Sequence, residues 1–178
     1  MTLSLQSGEK IVLELYPEKA PNTVNLFLHM AESGYYNGKT FSRAVGSRLI
    51  ACDGLDAGGV YEPAGGRIEG EFAAAGFMLN DLPHEAGTIS MVRENAANGR
   101  PPEESYHTAS GKFVILSGES PRMNGVYAAF GRVISGMGTV DRIAASPMTG
   151  EALLRPVEIC AVEVDYRGNK PVVPITVE

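Results

Sequence analysis

Apolar residues in this chain come in short alternating runs, each cut off by glycine or proline, and that punctuation limits what it can build. Leu3 and Leu5 alternate with polar neighbours, Ser7-Gly8-Glu9 supplies a turn, and Ile11, Leu13 and Leu15 resume the alternation, which predicts a hairpin. Thr40–Val45, Arg48–Cys52, Thr88–Val92, Phe113–Ser117, Ala128–Ile134 and Val157–Val164 read as further short strands. Helical spacing occurs in two places. Pro21-Asn22-Thr23 opens a helix with Val24, Phe27, Leu28 and Ala31 at i, i+3, i+4 and i+7, and Gly34 stands where a left-handed cap belongs. Thr139 can cap a second, shorter helix through Val140, Ile143 and Ala144. Many short strands with two distant helices imply a closed or sandwiched β architecture and argue against a parallel α/β sheet.

The intervening segments read as loops. Six glycines between Gly54 and Gly70 and no periodicity predict a long surface loop. Arg93–Ser110 is polar, with Asn98-Gly99 and Pro101-Pro102 as breakers, and Tyr166–Glu178 reads as a tail behind one domain at 1–165. A chain of 178 residues can bury ~70 % of its unfolded surface, so it needs neither disulfides nor metals to fold.

Charge and cysteine usage narrow the setting. Fifteen Lys and Arg against 21 Asp and Glu give a net charge of −6, which disfavours a general nucleic-acid binder. No apolar stretch approaches the ~18 residues of a membrane span. The start, Met1-Thr2-Leu3-Ser4, lacks the basic and apolar regions of a secretory signal. Cys52 and Cys160 lie far apart, which fits reduced thiols in a cytoplasm better than a disulfide framework.

Generic catalytic motifs leave the chemistry open. Gly38-Lys39-Thr40 resembles the end of a phosphate-binding loop, but Ser33 stands where that motif needs its first Gly and a strand follows instead of a helix. His29, His84 and His107 are scattered without metal-ligand spacing, and no Gly-x-Ser-x-Gly elbow exists. No cofactor is expected.

Taken in order, several segments carry a resemblance. Tyr35-Tyr36-Asn37-Gly38-Lys39-Thr40-Phe41-Ser42-Arg43 comes first, then Ile68-Glu69-Gly70-Glu71-Phe72, Gly76-Phe77 and His84-Glu85-Ala86-Gly87-Thr88-Ile89-Ser90-Met91. Gly111-Lys112-Phe113-Val114-Ile115, Asn124-Gly125 and Ala129-Phe130-Gly131-Arg132-Val133 follow. In this order and at this spacing they resemble the cyclophilin family of peptidyl-prolyl cis–trans isomerases over about residues 1–165. The resemblance implies a mainly β fold, a closed antiparallel eight-stranded barrel capped by two α-helices. It also implies isomerase activity on proline-containing peptides or unfolded proteins; no nucleic-acid or membrane partner is expected, and among oligomeric states, which the sequence leaves open, a monomer is favoured.

By the same resemblance Arg43 is the catalytic residue, and the peptide groove comprises Arg48, Leu49, Ala51, Val92, Arg93, Lys112, Phe113, Val114, Arg122, Met123 and Tyr127, with Phe113 in the supporting core. Many of these depart from the family pattern. Ser42 replaces a His, Ala51 and Lys112 replace Gln, Val114 and Arg48 replace pocket Phe, Arg122 replaces Trp and Tyr127 replaces His. Smaller side chains weaken the proline notch, so reduced activity is expected. Arg43, Arg48, Arg93, Lys112 and Arg122 would gather positive charge at one groove, so a non-catalytic module binding acidic or anionic ligands stands as the alternative.

Overall fold

The computed structural model describes residues 1–61, 65–94, 102–168 and 172–177. Strands β1 (Thr2–Leu5) and β2 (Lys10–Leu15) form the expected hairpin, and α1 (Pro21–Glu32) follows. Next come β3 (Lys39–Val45), β4 (Leu49–Asp56), β5 (Thr88–Met91), β6 (Phe113–Leu116) and β7 (Ala129–Ser135). The chain continues through α2 (Met137–Ala144), β8 (Met148–Thr149) and β9 (Ala152–Glu163). All pairings are antiparallel, in the order β1-β2-β7-β5-β6-β4-β3-β9. Closure comes from β1 pairing back onto β9, which leaves β8 as a two-residue arm outside an eight-stranded barrel.

The barrel interior is filled by the inward half of each strand. Leu3, Ile11, Leu13, Phe41, Ile50, Ile89, Phe113, Ile115 and Phe130 are fully or almost fully buried in one cluster. Helix α1 closes one end, where Phe27 meets Phe113 edge-on with ring centres 5.2 Å apart. The other end of β6 reaches α2, as Ser117 donates its hydroxyl to Asp141. Val140 and Ile143 of α2 complete the core there.

Several boundaries differ from the sequence reading for local reasons. Strand β4 runs to Asp56, three residues into the expected glycine loop, because Asp56 pairs with Lys39. Arg48 sits in the β3–β4 turn, with its carbonyl accepting from the amides of Ser117 and Gly118. Thr139 does not cap α2. Gly136 holds that position with φ 95°, and the Thr139 hydroxyl instead donates to Glu9. Strand β9 begins at Ala152, ahead of the expected Val157, because its first residues pair with β8 and β3. The polar 93–110 segment contains a 3-10 turn at Pro102–Ser105, whereas Asn98-Gly99 and Pro101 lie outside the described residues. Near the chain's end, Ile175 pairs its backbone with the Asn22 side-chain amide and Val177 bridges to Arg67.

Candidate functional site

Side chains alternate across a strand, so a barrel strand feeds the core with one set and an outer surface with the other. On β6, Phe113 and Ile115 point inward while Val114 and Leu116 point outward into a second apolar cluster with Ala51. Leu49, Val92 and Met123 pack against that cluster from the start of β4, the end of β5 and a 3-10 turn at Pro121–Met123. Five of the residues expected from sequence therefore meet in one apolar patch outside the core. Phe113 does not. It is 0 % exposed, with its ring among Phe27, Tyr36 and Phe41, because an odd register position places it inside the barrel.

Arg43 borders this patch. Backbone register runs from Arg43 to Ala51, from Ala51 to Val114 and from Val114 to Ser90, a single row across β3, β4, β6 and β5. Ala51 has no polar atom to offer its neighbour, and the guanidinium finds partners elsewhere. Nε donates to one oxygen of Asp53 at 2.8 Å and Nη2 to the other at 3.0 Å. Nη1 donates to Glu151 at 3.2 Å. Asp53 lies two residues beyond Ala51 on the same outer face, and a bulge between Phe41 and Arg43 brings the two side chains together. Glu151 is carried to the site by its carbonyl, which accepts from the Ala44 amide. The hydrogen bonds that Arg43 donates to Asp53 push its high pKa up further, with burial opposing.

The remaining basic residues serve different ends. Arg93 is enclosed by the rings of Phe72, Tyr106 and Tyr127, 4.7 Å from the last, and donates to the Val126 carbonyl and the Ser105 hydroxyl. Such stacking suits a planar, weakly hydrated cation, and it spends the charge on the groove wall. Lys112 places its ammonium 4.3 Å over the Tyr61 ring. Arg48 and Arg122 are exposed, and among the described residues neither guanidinium has an ion pair.

Next to the patch lies a buried histidine, bonded to Ser90, whose register partner is Val114. His84 is buried, with Nδ1 3.1 Å from the Asn124 side-chain oxygen and Nε2 2.9 Å from the Ser90 hydroxyl. The same Asn124 oxygen accepts from the His84 amide, so Nδ1 carries the ring proton and Nε2 accepts from Ser90. Burial lowers the His84 pKa, with the Asn124 bond opposing. The unfolded chain therefore takes up a proton near the ordinary histidine pKa of about 6.5, which the fold resists. Stability is full above that pH and falls as the pH drops below it. Urea melts at about pH 8 and about pH 5 should show the loss, and His84→Gln should flatten it. An unchanged profile in the variant would assign the loss to other groups.

A family model for the cyclophilin type peptidyl-prolyl cis-trans isomerases matches residues 1–164. The chain belongs to that family. Peptidyl-prolyl cis-trans isomerase B of Bacillus subtilis is 34 % identical over 133 residues, covering 75 % of this chain and 82 % of the relative. Its Escherichia coli namesake is 30 % identical over 133 residues, covering 75 % and 77 %. A Cryptosporidium parvum cyclophilin, solved in the presence of the dipeptide Ala-Pro, superposes with a TM-score of 0.73. It is 20 % identical, with 92 % of this chain and 98 % of that one covered.

The structure brings Leu49, Ala51, Val92, Val114 and Met123 of the expected residues together near Arg43, and adds Asp53, Glu151, Leu116 and the His84–Ser90 pair, which the sequence does not single out. Leu116 could have been found from Val114 by its i+2 spacing. Asp53 carried the same signal relative to Ala51, masked by the bulge. Glu151 lies 108 positions from Arg43 in the chain, and nothing local announces the contact.

Proposed function

We propose that this cyclophilin isomerises X-Pro bonds at the outer patch beside Arg43, with turnover reduced by the thinned proline notch. The observation that supports it most directly is the juxtaposition of one guanidinium with an apolar patch set apart from the core. The X-Pro barrier of ~18–20 kcal/mol comes from amide resonance that the twisted state loses. A catalyst for this step needs no nucleophile. It needs an apolar seat for the ring and a donor aimed at the prolyl nitrogen, whose lone pair becomes available only as the bond twists. Leu49, Val114 and Met123 supply the seat, backed by the fully buried Ala51 and Leu116, and Arg43 supplies the donor.

With Val114 at the floor and Arg48 turned to solvent, the seat lacks aromatic area. About 50–100 Å² of missing contact at ~25 cal/mol per Å² is worth ~1–2.5 kcal/mol of grip. That corresponds to roughly five- to seventy-fold in affinity. Free cysteines, Cys52 buried with its thiol pushed up to about 12 and Cys160 exposed, support a cytoplasmic setting. No helix among the described residues is long and apolar enough to cross a membrane.

Exchange NMR on Ala-Pro and Glu-Pro peptides tests the reading. Catalysed exchange supports it, and peptide shifts without exchange would leave a binding module instead. Preference for acidic peptides is not expected. Arg43 carries two carboxylates, and Arg93 and Lys112 are engaged with rings, which leaves Arg48 and Arg122 as exposed cations. The two peptides should bind within about three-fold of each other at low ionic strength, where exposed charges act most strongly. A Glu-Pro preference of ten-fold that collapses with salt would restore an anion-selecting groove.

A further inference from the structure

We propose that Asp53 is the positioning residue for Arg43, doing from β4 what Ala51 cannot. This rests on the isomerase reading above and adds to it a residue that the family pattern does not single out. An arginine side chain has four rotatable bonds and, at 33 % exposure, ample room to leave the surface. Two bonds to one carboxylate fix both the direction and the plane of the guanidinium, which a single bond does not. Asp53 makes this contact from the less exposed side, at 21 % exposure against 56 % for Glu151. Three of the five N–H groups are then engaged, which leaves one on each Nη for a peptide.

The clamp also has an opposing effect, because a carboxylate beside Arg43 reduces its pull on a prolyl nitrogen. Orientation outweighs quenching here. A mobile arginine must be ordered anew in each transition state, and small misplacements of a catalytic group cost up to 10²-fold. Quenching is partial, since water and the free Nη donors remain.

The test compares wild type with Asp53→Ala, Asp53→Asn and Glu151→Ala in exchange NMR on an Ala-Pro peptide. The Arg43 side-chain N–H signals are followed in the same samples. Asp53→Ala should lower kcat about ten-fold with KM within two-fold, and the Arg43 Nε–H signal should move toward that of a free guanidinium. Asp53→Asn, which keeps one acceptor, should fall between, and Glu151→Ala should lose less than Asp53→Ala. A folded Asp53→Ala protein with unchanged or raised kcat would overturn the proposal, as would an unmoved Arg43 signal. Unchanged kcat in the variant would leave the isomerase reading intact. A wild type without catalysed exchange would overturn the isomerase reading and this proposal together.

Discussion

Arg43→Ala lowers kcat/KM for an Ala-Pro peptide by about 10²-fold, the loss expected when a preorganised donor to a developing lone pair is removed. The apolar seat stays intact, because Ala51, Val114 and Leu116 pack among themselves without the guanidinium. Binding therefore suffers less than turnover. Stability changes little, since the lost ion pairs are partly exposed and such pairs contribute about 1 kcal/mol or less. Arg43→Lys keeps the charge but loses the fork that Asp53 grips, so it should recover only part of the rate. The measurement is exchange NMR with the thermal midpoint taken alongside. Equal exchange in wild type and Arg43→Ala would remove Arg43 from the mechanism, whatever the family pattern says.

Much of the fold is legible in the sequence, for reasons that individual motif residues show. Glu71, within Ile68-Glu69-Gly70-Glu71-Phe72, accepts from the amides of Asn22 and Thr23 at 2.9 and 2.7 Å. A buried carboxylate thus caps α1, whose own N-cap residue is Ala20 and has no side chain able to accept. Gly131 belongs to its motif because a Cβ there would lie 2.3 Å from the Glu14 carbonyl. Such constraints are met by one residue type at one position, so they survive as patterns in the sequence. The partners of Arg43 and Arg93 are of another kind. A bulge decides which outward residue of β4 faces Arg43, and Arg93 meets three rings brought in by three separate segments. Long charged side chains can satisfy themselves in many ways, and only the assembled surface selects one. A sequence reading that pools basic residues into a common groove therefore overstates its positive charge.

The same distinction separates two adjacent residues of β6 that the sequence placed in one site. Phe113→Ala should cost about 3–5 kcal/mol of stability, the range for emptying a buried aromatic position. Three edge-on ring contacts, to Phe27, Tyr36 and Phe41, vanish with it. At roughly 2–4 °C per kcal/mol for a chain of this size, the thermal midpoint should fall by about 6–20 °C. Val114→Ala, one position on, removes methyl groups from the outer patch and should cost about 1–2 kcal/mol of stability. Its larger signature is in function, because the lost contact comes from the seat itself. Peptide affinity should weaken several-fold, at ~0.8 kcal/mol for each CH2 no longer covered. Thermal melts and peptide titrations on the two variants read both effects. If Phe113→Ala kept its midpoint and lost binding, Phe113 would belong to the peptide groove and the barrel's inner face would have to be reassigned.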